Sequence, residues 1–245
     1  MKRISLDAIL AQTDFIVMNT LGKALITLVI LVSVLNGVFL PVTGFDPDAT
    51  KGTEVFLGVI YTLMAALMLT GIADEVGTGQ AMIYLVQPIT KREYMAAWLL
   101  AGPALLGVSY IAAILIPALV LSPRLVTKPI IYEPVIYTLG ELLYIALLTL
   151  FLSLLLRNKS RAVFAMLSFM FLIPALGLLI LGILSSTLGL HISDEVLTVF
   201  TSIFHPAVVI FENDSMVRVF GLLYSYGGSA ALVALLLKYS ERIEV

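Results

Sequence analysis

The sequence contains no cysteine and has few charged residues and few histidines. Across 245 residues there are two histidines, His191 and His205, and charged residues make up 12% of the chain. The absence of cysteine excludes disulfide bonds, thiolate metal sites and cysteine nucleophiles, and two histidines predict no metal site. The chain also has no G-x-x-x-x-G-K-[ST], H-E-x-x-H or G-x-S-x-G motif. We therefore expect no catalytic site and no nucleotide site on this chain.

Hydrophobic residues dominate the composition, at 60% of the chain with a mean hydropathy of +1.08. A typical soluble domain is about 45–50% apolar and about 25% charged. Apolar runs of about 20 residues are long enough to cross a hydrocarbon core roughly 30 Å thick, and helices are the default structure for such runs. We predict an all-α polytopic membrane protein forming one domain over 1–245. Its six predicted transmembrane helices cover residues 23–41, 55–73, 96–121, 135–156, 162–184 and 216–237.

The distribution of Lys and Arg predicts the orientation of these helices. With a cytoplasmic N-terminus, ten of the fourteen basic residues fall on the inner side. The inner residues are Lys2, Arg3, Lys23, Lys91, Arg92, Arg157, Lys159, Arg161, Lys238 and Arg242. The outer residues are Lys51, Arg124, Lys128 and Arg218. Both termini are therefore predicted to be cytoplasmic. The net charge of −2 indicates no particular partner, and we expect no nucleic acid.

Two segments outside the apolar runs have helical features. Residues 1–22 alternate apolar and polar side chains, which suits an amphipathic helix lying in the cytoplasmic interface, and a frayed terminus is the alternative. Within residues 185–215, Ser193 followed by Asp194 is typical of a helix start, and Pro206 is typical of a helix end. Two short helices entering the outer leaflet fit this segment, and a plain extracellular loop is the alternative.

A third segment, 74–94, lies between the second and third apolar runs. Asp74 and Glu75 precede a short apolar stretch at 81–86, and Lys91 and Arg92 follow it. The stretch is too short to cross a bilayer, and its charged flanks favour water. Its apolar face must therefore contact the rest of this protein or a second protein.

The residue spacing in this segment resembles that of the permeases of type-2 ATP-binding-cassette (ABC) transporters. Those permeases have Glu at the end of the second span, Gly four residues later and Pro nine residues after that Gly. Glu75, Gly79 and Pro88 stand at these spacings. Ile89 to Glu93 fit the small hydroxyl, basic and acidic residues that follow in the family. The stretches SLLLRNKSRAVFAML and FHPAVVIF also resemble family segments, whereas Val76 replaces the usual Arg.

The resemblance implies a coupling helix at about 79–87 that binds in a groove of a separate ATP-binding subunit. The residues it assigns to this contact are Asp74, Glu75, Gly79, Met82, Ile83, Leu85, Pro88, Lys91 and Arg92. ATP and Mg²⁺ are then expected on the partner subunit, with no cofactor on this chain. The resemblance further implies an exporter in a prokaryotic cell membrane, in which a second permease copy or a related permease completes the pathway.

One acidic residue, Glu141, stands inside a predicted span and is a candidate pathway residue. An ionisable group in a membrane helix usually faces protein or water, and Tyr137 and Tyr144 share its helical face at i−4 and i+3. The three residues fit a substrate contact or an outer gate. A structural acid satisfied by the two tyrosines, or an acid reaching the interface, is the alternative. Asn36 is a further pathway candidate, with a bond to a neighbouring helix as the simpler role.

A secondary carrier or channel that needs no ATPase is the alternative class. Such proteins have charged residues near mid-membrane and often two related halves. The sequence indicates one off-centre acid, Glu141, and no internal repeat. Membrane lipid is the remaining expected partner, and the sequence selects no substrate.

Overall fold

The computed structural model describes residues 5–44, 46–81, 89–121, 123–125, 128–188 and 192–240. These residues form helices joined by turns, and no β-strand occurs among them. The α-helices are Leu6–Ile16, Gly22–Val42, Pro47–Leu69, Gly71–Gly77, Lys91–Leu99, Leu105–Leu121, Pro129–Leu156, Lys159–Leu167, Ile173–Leu188, Asp194–Ser202 and Ser215–Ser240. The π-helical turns are Val17–Leu21, Leu100–Ala104 and Ser168–Leu172, and the 3-10 helices are Pro123–Leu125 and Pro206–Phe211.

Six helical stretches are long and apolar enough to cross a membrane, which confirms the predicted number. We refer to them in chain order as spans 1 to 6. They are Leu6–Val42, Pro47–Gly77, Lys91–Leu121, Pro129–Leu156, Lys159–Leu188 and Ser215–Ser240. Each is longer than its predicted run because the helices continue into polar sequence.

Spans 2 and 4 show why the predicted starts were too late. Asp46 caps span 2 by accepting hydrogen bonds from the backbone N–H groups of Asp48 and Ala49, at 3.1 and 3.0 Å. Pro47 occupies the first helical turn, where a missing N–H has no consequence. Pro129 likewise lies in the first turn of span 4. Hydropathy alone does not detect these polar first turns.

The N-terminal helix Leu6–Ile16 continues through a π-helical turn into span 1, forming one stretch of 37 residues. Its buried residues are Ile9, Gln12 and Ile16, spaced by one helical turn, and this face packs on the start of span 3. The opposite face leaves Leu6 and Leu10 exposed. Residues 6–16 are therefore helical rather than frayed, and the amphipathic character of the segment and its place at the membrane interface stay predictions.

Span 4 lies at the centre of the bundle and packs against span 2, span 6 and the 3-10 helix Pro206–Phe211. Just over half of its apolar window is buried, at 56%, whereas the figure for span 5 is 11%. Small residues allow the close approach that helices need in lipid. At Gly140 of span 4, an added Cβ would lie 2.6 Å from Oγ of Ser225 in span 6. This contact shows that Ser225, a small residue of span 6, packs against span 4.

The segment between spans 5 and 6 contains two short helices, Asp194–Ser202 and Pro206–Phe211. The first packs on span 5, where an added Cβ at Gly177 would lie 2.2 Å from Cζ of Phe200. The second packs on span 4. The described part of 185–215 is thus helical rather than an irregular loop. Its depth in the outer leaflet stays a prediction.

Contacts between residues near the ends of the spans show which ends lie together in the bundle. At one end, Asp74 accepts a hydrogen bond from the backbone of Lys159, and the rings of Phe151 and Tyr239 are 6.1 Å apart. At the opposite end, Lys51 and Arg218 contact Glu133. The six spans therefore alternate in direction. The end that carries Asp74 is the predicted cytoplasmic end.

Candidate functional site

Span 2 ends in a sequence of short elements that lead into the predicted coupling segment. The helix is interrupted at Thr70, continues as Gly71–Gly77, and then turns at Thr78 and Gly79. Gly79 has a φ of +76°, a left-handed conformation that glycine adopts without steric cost. The backbone therefore turns tightly at Gly79. Four other residues of the predicted contact, Met82, Ile83, Leu85 and Pro88, lie outside the described residues.

Glu75 is buried inside the protein and connects three spans. Its Oε2 accepts a hydrogen bond of 2.7 Å from the hydroxyl of Tyr94 in span 3. Its Oε1 accepts a longer one of 3.5 Å from the hydroxyl of Thr20 in span 1. The side chain is 8% exposed. The sequence analysis assigned Glu75 to the contact with an ATP-binding subunit, but its carboxylate faces the bundle. Its structural role is to position span 2 relative to spans 1 and 3.

Span 3 begins with a capping box at Thr90 and Glu93. The Thr90 hydroxyl accepts a hydrogen bond from the Glu93 backbone N–H at 3.2 Å, and Glu93 Oε2 accepts one from the Thr90 N–H at 2.7 Å. This reciprocal arrangement satisfies two N–H groups at the start of the helix. The other oxygen, Oε1, accepts a hydrogen bond from the Ser5 N–H at 2.6 Å. Glu93 therefore also anchors the N-terminal helix.

The turn between spans 4 and 5 packs directly on the end of span 2. Asp74 Oδ1 accepts a hydrogen bond from the Lys159 N–H at 3.3 Å. At Gly77, an added Cβ would lie only 2.1 Å from the carbonyl oxygen of Arg157, which itself has a left-handed φ of 49°. The Asn158 side chain caps span 5. The basic turn and the end of span 2 thus form one rigid contact.

Lys91 and Arg92 lie in the first turn of span 3, where Arg92 is exposed and Lys91 is half-buried. Asp74 is also exposed. Asp74 and Gly79 precede residues 82–88 in the chain, and Lys91 and Arg92 follow them. The described residues therefore form a frame in which both ends of the segment 80–88 are attached to several spans. We call this set of contacts the inner frame, consisting of Asp74, Glu75, Gly77, Thr90, Glu93 and Tyr94 with their partners Ser5, Thr20, Arg157 and Lys159.

Glu141 lies near the middle of span 4, and its carboxylate is 1% exposed. It follows Pro129 by 12 residues, which corresponds to roughly 18 Å along a helix rising about 1.5 Å per residue. Its Oε1 is 3.1 Å from Nδ1 of His205, and its Oε2 accepts a hydrogen bond of 3.0 Å from the Ala207 N–H. Glu141 stands nearer the middle of its helix than the apolar run indicated because span 4 begins earlier, and its depth in the membrane stays a prediction. The alternative of an acid satisfied by two tyrosines is not what these bonds show, because they come from His205 and Ala207.

His205 joins Glu141 to span 5. Its Nε2 lies 2.8 Å from the carbonyl oxygen of Met170. Because Pro174 has no N–H, it leaves the carbonyl four residues earlier, that of Met170, without its helical partner. A carbonyl only accepts, so Nε2 must carry a proton. One further proton is then shared between Nδ1 and Glu141 Oε1. The sequence around His205 does not indicate this link, because Glu141 and Met170 come from other spans.

The charge state of His205 follows from these contacts. Burial lowers the pKa of His205, but the hydrogen bond and the charge of Glu141 raise it, and so does the Met170 carbonyl. The net direction is upward from the usual value. The protonated imidazolium is therefore the form that this site favours.

The two tyrosines that flank Glu141 on span 4 bind other partners. The guanidinium carbon of Arg218 lies 5.6 Å from the centroid of the Tyr137 ring. The Tyr144 hydroxyl is 2.8 Å from that of Tyr224 in span 6. The two tyrosines therefore contact span 6, whereas Glu141 bonds to the segment before it.

Two polar residues, Asn36 of span 1 and Glu54 of span 2, lie at the boundary between these spans. Asn36 Nδ2 donates a hydrogen bond of 3.1 Å to the Ile114 carbonyl of span 3, so the simpler of its expected roles is confirmed. Glu54 is 0% exposed, and neither carboxylate oxygen has a hydrogen-bond partner among the described residues. The sequence analysis missed Glu54 because it started the span at residue 55. The cap at Asp46 and Pro47 was the signal that could have found it.

A groove of about 570 Å³ opens on the outside of the bundle between spans 1 and 2. Its walls are Ala24, Thr27, Leu28, Leu31, Met64, Leu67 and Met68, with Lys23 at one end. The groove is mostly apolar, and membrane lipid as a partner stays a prediction. Among the described residues, no group of three or more His, Asp or Glu side chains could hold a metal ion.

The six long helices and the polar contacts buried between them define a multi-pass helical membrane protein. No family model, no curated protein and no solved structure matches the chain. The resemblance to type-2 ABC permeases therefore rests on the residues quoted from the sequence.

Proposed function

We propose that this chain is the transmembrane subunit of an ATP-driven exporter of the type-2 ABC class. Two permease chains form the pathway, and separate subunits bind ATP and Mg²⁺. In this proposal both termini are cytoplasmic in the membrane of a prokaryotic cell, and transport is outward. The chain itself hydrolyses no ATP. The energy of hydrolysis reaches it through the segment 74–94.

The inner frame is the observation that carries this proposal. A segment that transmits force needs firm attachments at both ends, and the described residues on either side of 82–88 provide them. On one side, Glu75 links the end of span 2 to Tyr94 and Thr20, and on the other side Glu93 links the start of span 3 to Ser5. A force on the segment is therefore transmitted to spans 1, 2 and 3 together rather than absorbed by a loop.

The contact between Gly77 and the turn at Arg157 extends this transmission to spans 4 and 5. When the ATP-binding subunits close, the coupling segment moves, and the ends of five spans move with it. At mid-bundle, Glu141 and His205 join span 4, span 5 and the segment before span 6. In this proposal, a tilt of span 4 against span 5 strains that junction, and its rearrangement opens the pathway outward.

Removal of one hydroxyl from the inner frame tests the proposal. Tyr94→Phe eliminates the donor to Glu75 and leaves the ring in place, so the segment loses rigidity but not its surface. We expect the partner ATPase to co-purify as with the unchanged chain. Its stimulation by the permease in lipid nanodiscs should fall several-fold. Tyr132→Phe is the matched control, because Tyr132 is exposed at the opposite end of the bundle.

Deletion of residues 80–88 is the stronger version of the same test. The proposal expects loss of both co-purification and ATPase stimulation, with the six spans still inserted in the membrane. If the deletion variant still binds and stimulates an ATPase, the coupling role is wrong. If no Walker-motif protein co-purifies with the unchanged chain from native membranes, the whole proposal is wrong.

A secondary carrier is the second candidate function, and the buried ionisable groups favour it. Glu54, Glu141 and His205 lie inside the bundle, where such groups commonly mark ion or proton pathways. This is more than the single off-centre acid expected from the sequence. In this case the chain alone, reconstituted in liposomes, should move protons or another ion down an imposed gradient with no ATPase present.

A further inference from the structure

Three acceptor oxygens are buried together at the boundary between spans 1 and 2 without any donor. They are Oε1 and Oε2 of Glu54 and Oδ1 of Asn36, and none has a hydrogen-bond partner within the part of the chain that the structure describes. The Asn36 amide faces the Glu54 carboxylate without reaching hydrogen-bond geometry. Buried polar atoms are normally paired, so this cluster points to a missing positive group.

The surroundings of Glu54 provide no positive charge within the described residues. The titratable group that the structure places within electrostatic reach of Glu54 is Tyr110 of span 3, which is neutral. The closest cation in sequence, Lys51, pairs with Glu133 at 3.5 Å. An isolated carboxylate in an apolar interior is far too costly to remain ionised, and such a group takes up a proton instead.

We propose that Glu54 binds a proton in the resting protein and, facing Asn36, forms a single-proton site in the core of the bundle. The carboxylic O–H converts one of the three acceptors into a donor. Release transfers the proton to water and leaves a carboxylate, so it requires a conformation that admits water between spans 1 and 2. The site is independent of the ATP-driven function and is compatible with either candidate function.

Oxygen count and packing favour a proton over a metal cation. Hard cations such as Mg²⁺ and Ca²⁺ take about six or more oxygen ligands. Among the described residues, three unpaired side-chain oxygens lie here. One turn along span 2, at Gly58, an added Cβ would lie 2.6 Å from Cγ2 of Thr138 and 3.2 Å from the Tyr110 hydroxyl. Span 2 is therefore closely packed against spans 3 and 4 one turn from the site.

Infrared spectroscopy tests the proposal on the full-length protein. The sample is labelled with ¹³C-glutamate and held at pH 7 in a detergent without ester groups, so that the carbonyl stretch of a neutral glutamic acid is identified by its isotope shift. We expect this band in the unchanged protein and its loss in Glu54→Gln. Glu133→Gln is the matched control and should retain the band, because Glu133 is ion-paired with Lys51 and Arg218.

A second variant and a change of salt complete the test. If Glu54→Gln does not fold, Glu54→Asp keeps an acid in place, and the glutamic acid band should be lost with a neutral aspartic acid band in its stead. Spectra recorded in NaCl and in choline chloride at equal ionic strength separate a proton from sodium. A neutral band that disappears in NaCl, or spectra of the unchanged and Glu54→Gln proteins that superimpose, would overturn the proposal.

Discussion

At the scale of single residues, the buried glutamates differ in what satisfies their charge. Glu75, Glu93 and Glu141 each accept at least two hydrogen bonds from hydroxyl, backbone or imidazole groups. Glu54 accepts none from the described residues. A buried carboxylate with donors joins elements together, whereas one without donors is a site for a proton. This difference decides which of them we treat as structural and which as a binding residue.

Truncation of Glu141 is expected to destabilise the protein. Glu141→Ala leaves the Ala207 N–H and one nitrogen of His205 buried without partners, at a cost of roughly 1–3 kcal/mol for each buried group. Thermal unfolding in detergent measures the effect. Glu133→Ala at the more exposed outer end is the control, and the loss of such a pair costs about 0–1 kcal/mol. Equal losses of stability for the two variants would show that the bonds of Glu141 contribute no more than the more exposed ion pair of Glu133.

The raised pKa of His205 predicts a pH dependence of stability. Burial opposes protonation, but Glu141 and the Met170 carbonyl favour it, and the folded-state pKa lies above the usual value. The stabilisation is therefore complete below a pH of about 6.5 and is lost as the pH rises through the folded-state pKa. Unfolding temperatures of the unchanged protein should fall as the pH rises through this range. They should fall less for His205→Gln, and an identical slope in both proteins would contradict the assignment.

At the scale of elements, close backbone contacts hold the predicted cytoplasmic end together. The end of span 2 approaches the turn between spans 4 and 5 so closely that only glycine fits at position 77. The same end is bonded to span 3 through Tyr94. Spans 1 and 3 are joined through Ser5 and Glu93. Elements far apart in sequence are thus linked at the positions where the chain leaves the bundle.

Gly77→Ala tests this contact. The new Cβ would lie 2.1 Å from the Arg157 carbonyl oxygen, so the backbone must shift. We expect a loss of about 1–3 kcal/mol in unfolding free energy, as is usual for overpacking. Gly52→Ala is the matched control in an open helical position, with nothing among the described residues within 4 Å of the added Cβ. It should be neutral or stabilise by about 0.4–1 kcal/mol. A harmless Gly77→Ala would contradict the contact.

At the scale of the whole molecule, the arrangement is six spans of alternating direction around a central span 4. Span 5 has little of its surface buried within one chain. In the proposed pair of permeases, such a surface is available to lipid or to the second copy. The described residues near both ends of the chain lie at the end that carries Asp74, as the ring contact of Tyr239 and the Ser5 hydrogen bond show.

The absence of cysteine makes the orientation directly measurable, since single cysteines can be introduced without a background. Gln80→Cys and Ala49→Cys place a thiol at opposite ends of span 2, and both positions are exposed. In intact cells, a membrane-impermeant thiol reagent should label Ala49→Cys only. After permeabilisation it should label both. Labelling of Gln80→Cys in intact cells would reverse the predicted topology and remove the basis of the coupling proposal.

The local features were predictable from the sequence because they depend on neighbours in the chain. The number of spans follows from apolar runs, the turn at Gly79 from its position in the motif, and the capping pattern of Thr90 and Glu93 from a spacing of three residues. The inward orientation of Glu75 was not predictable, because its partners Tyr94 and Thr20 come from other spans.

The sequence by itself determined that this is a helical membrane protein with six spans, because hydrophobicity and backbone hydrogen bonding leave a 20-residue apolar run in lipid no other regular structure. Only the tertiary structure decided which acids are paired. Glu141 and the Met170 carbonyl, which lacks its helical partner because of Pro174, both bond to His205 from distant parts of the chain. Glu54 is fully buried, with Asn36 of span 1 and Tyr110 of span 3 near it. Such contacts depend on the packing of distant segments, which no local pattern specifies.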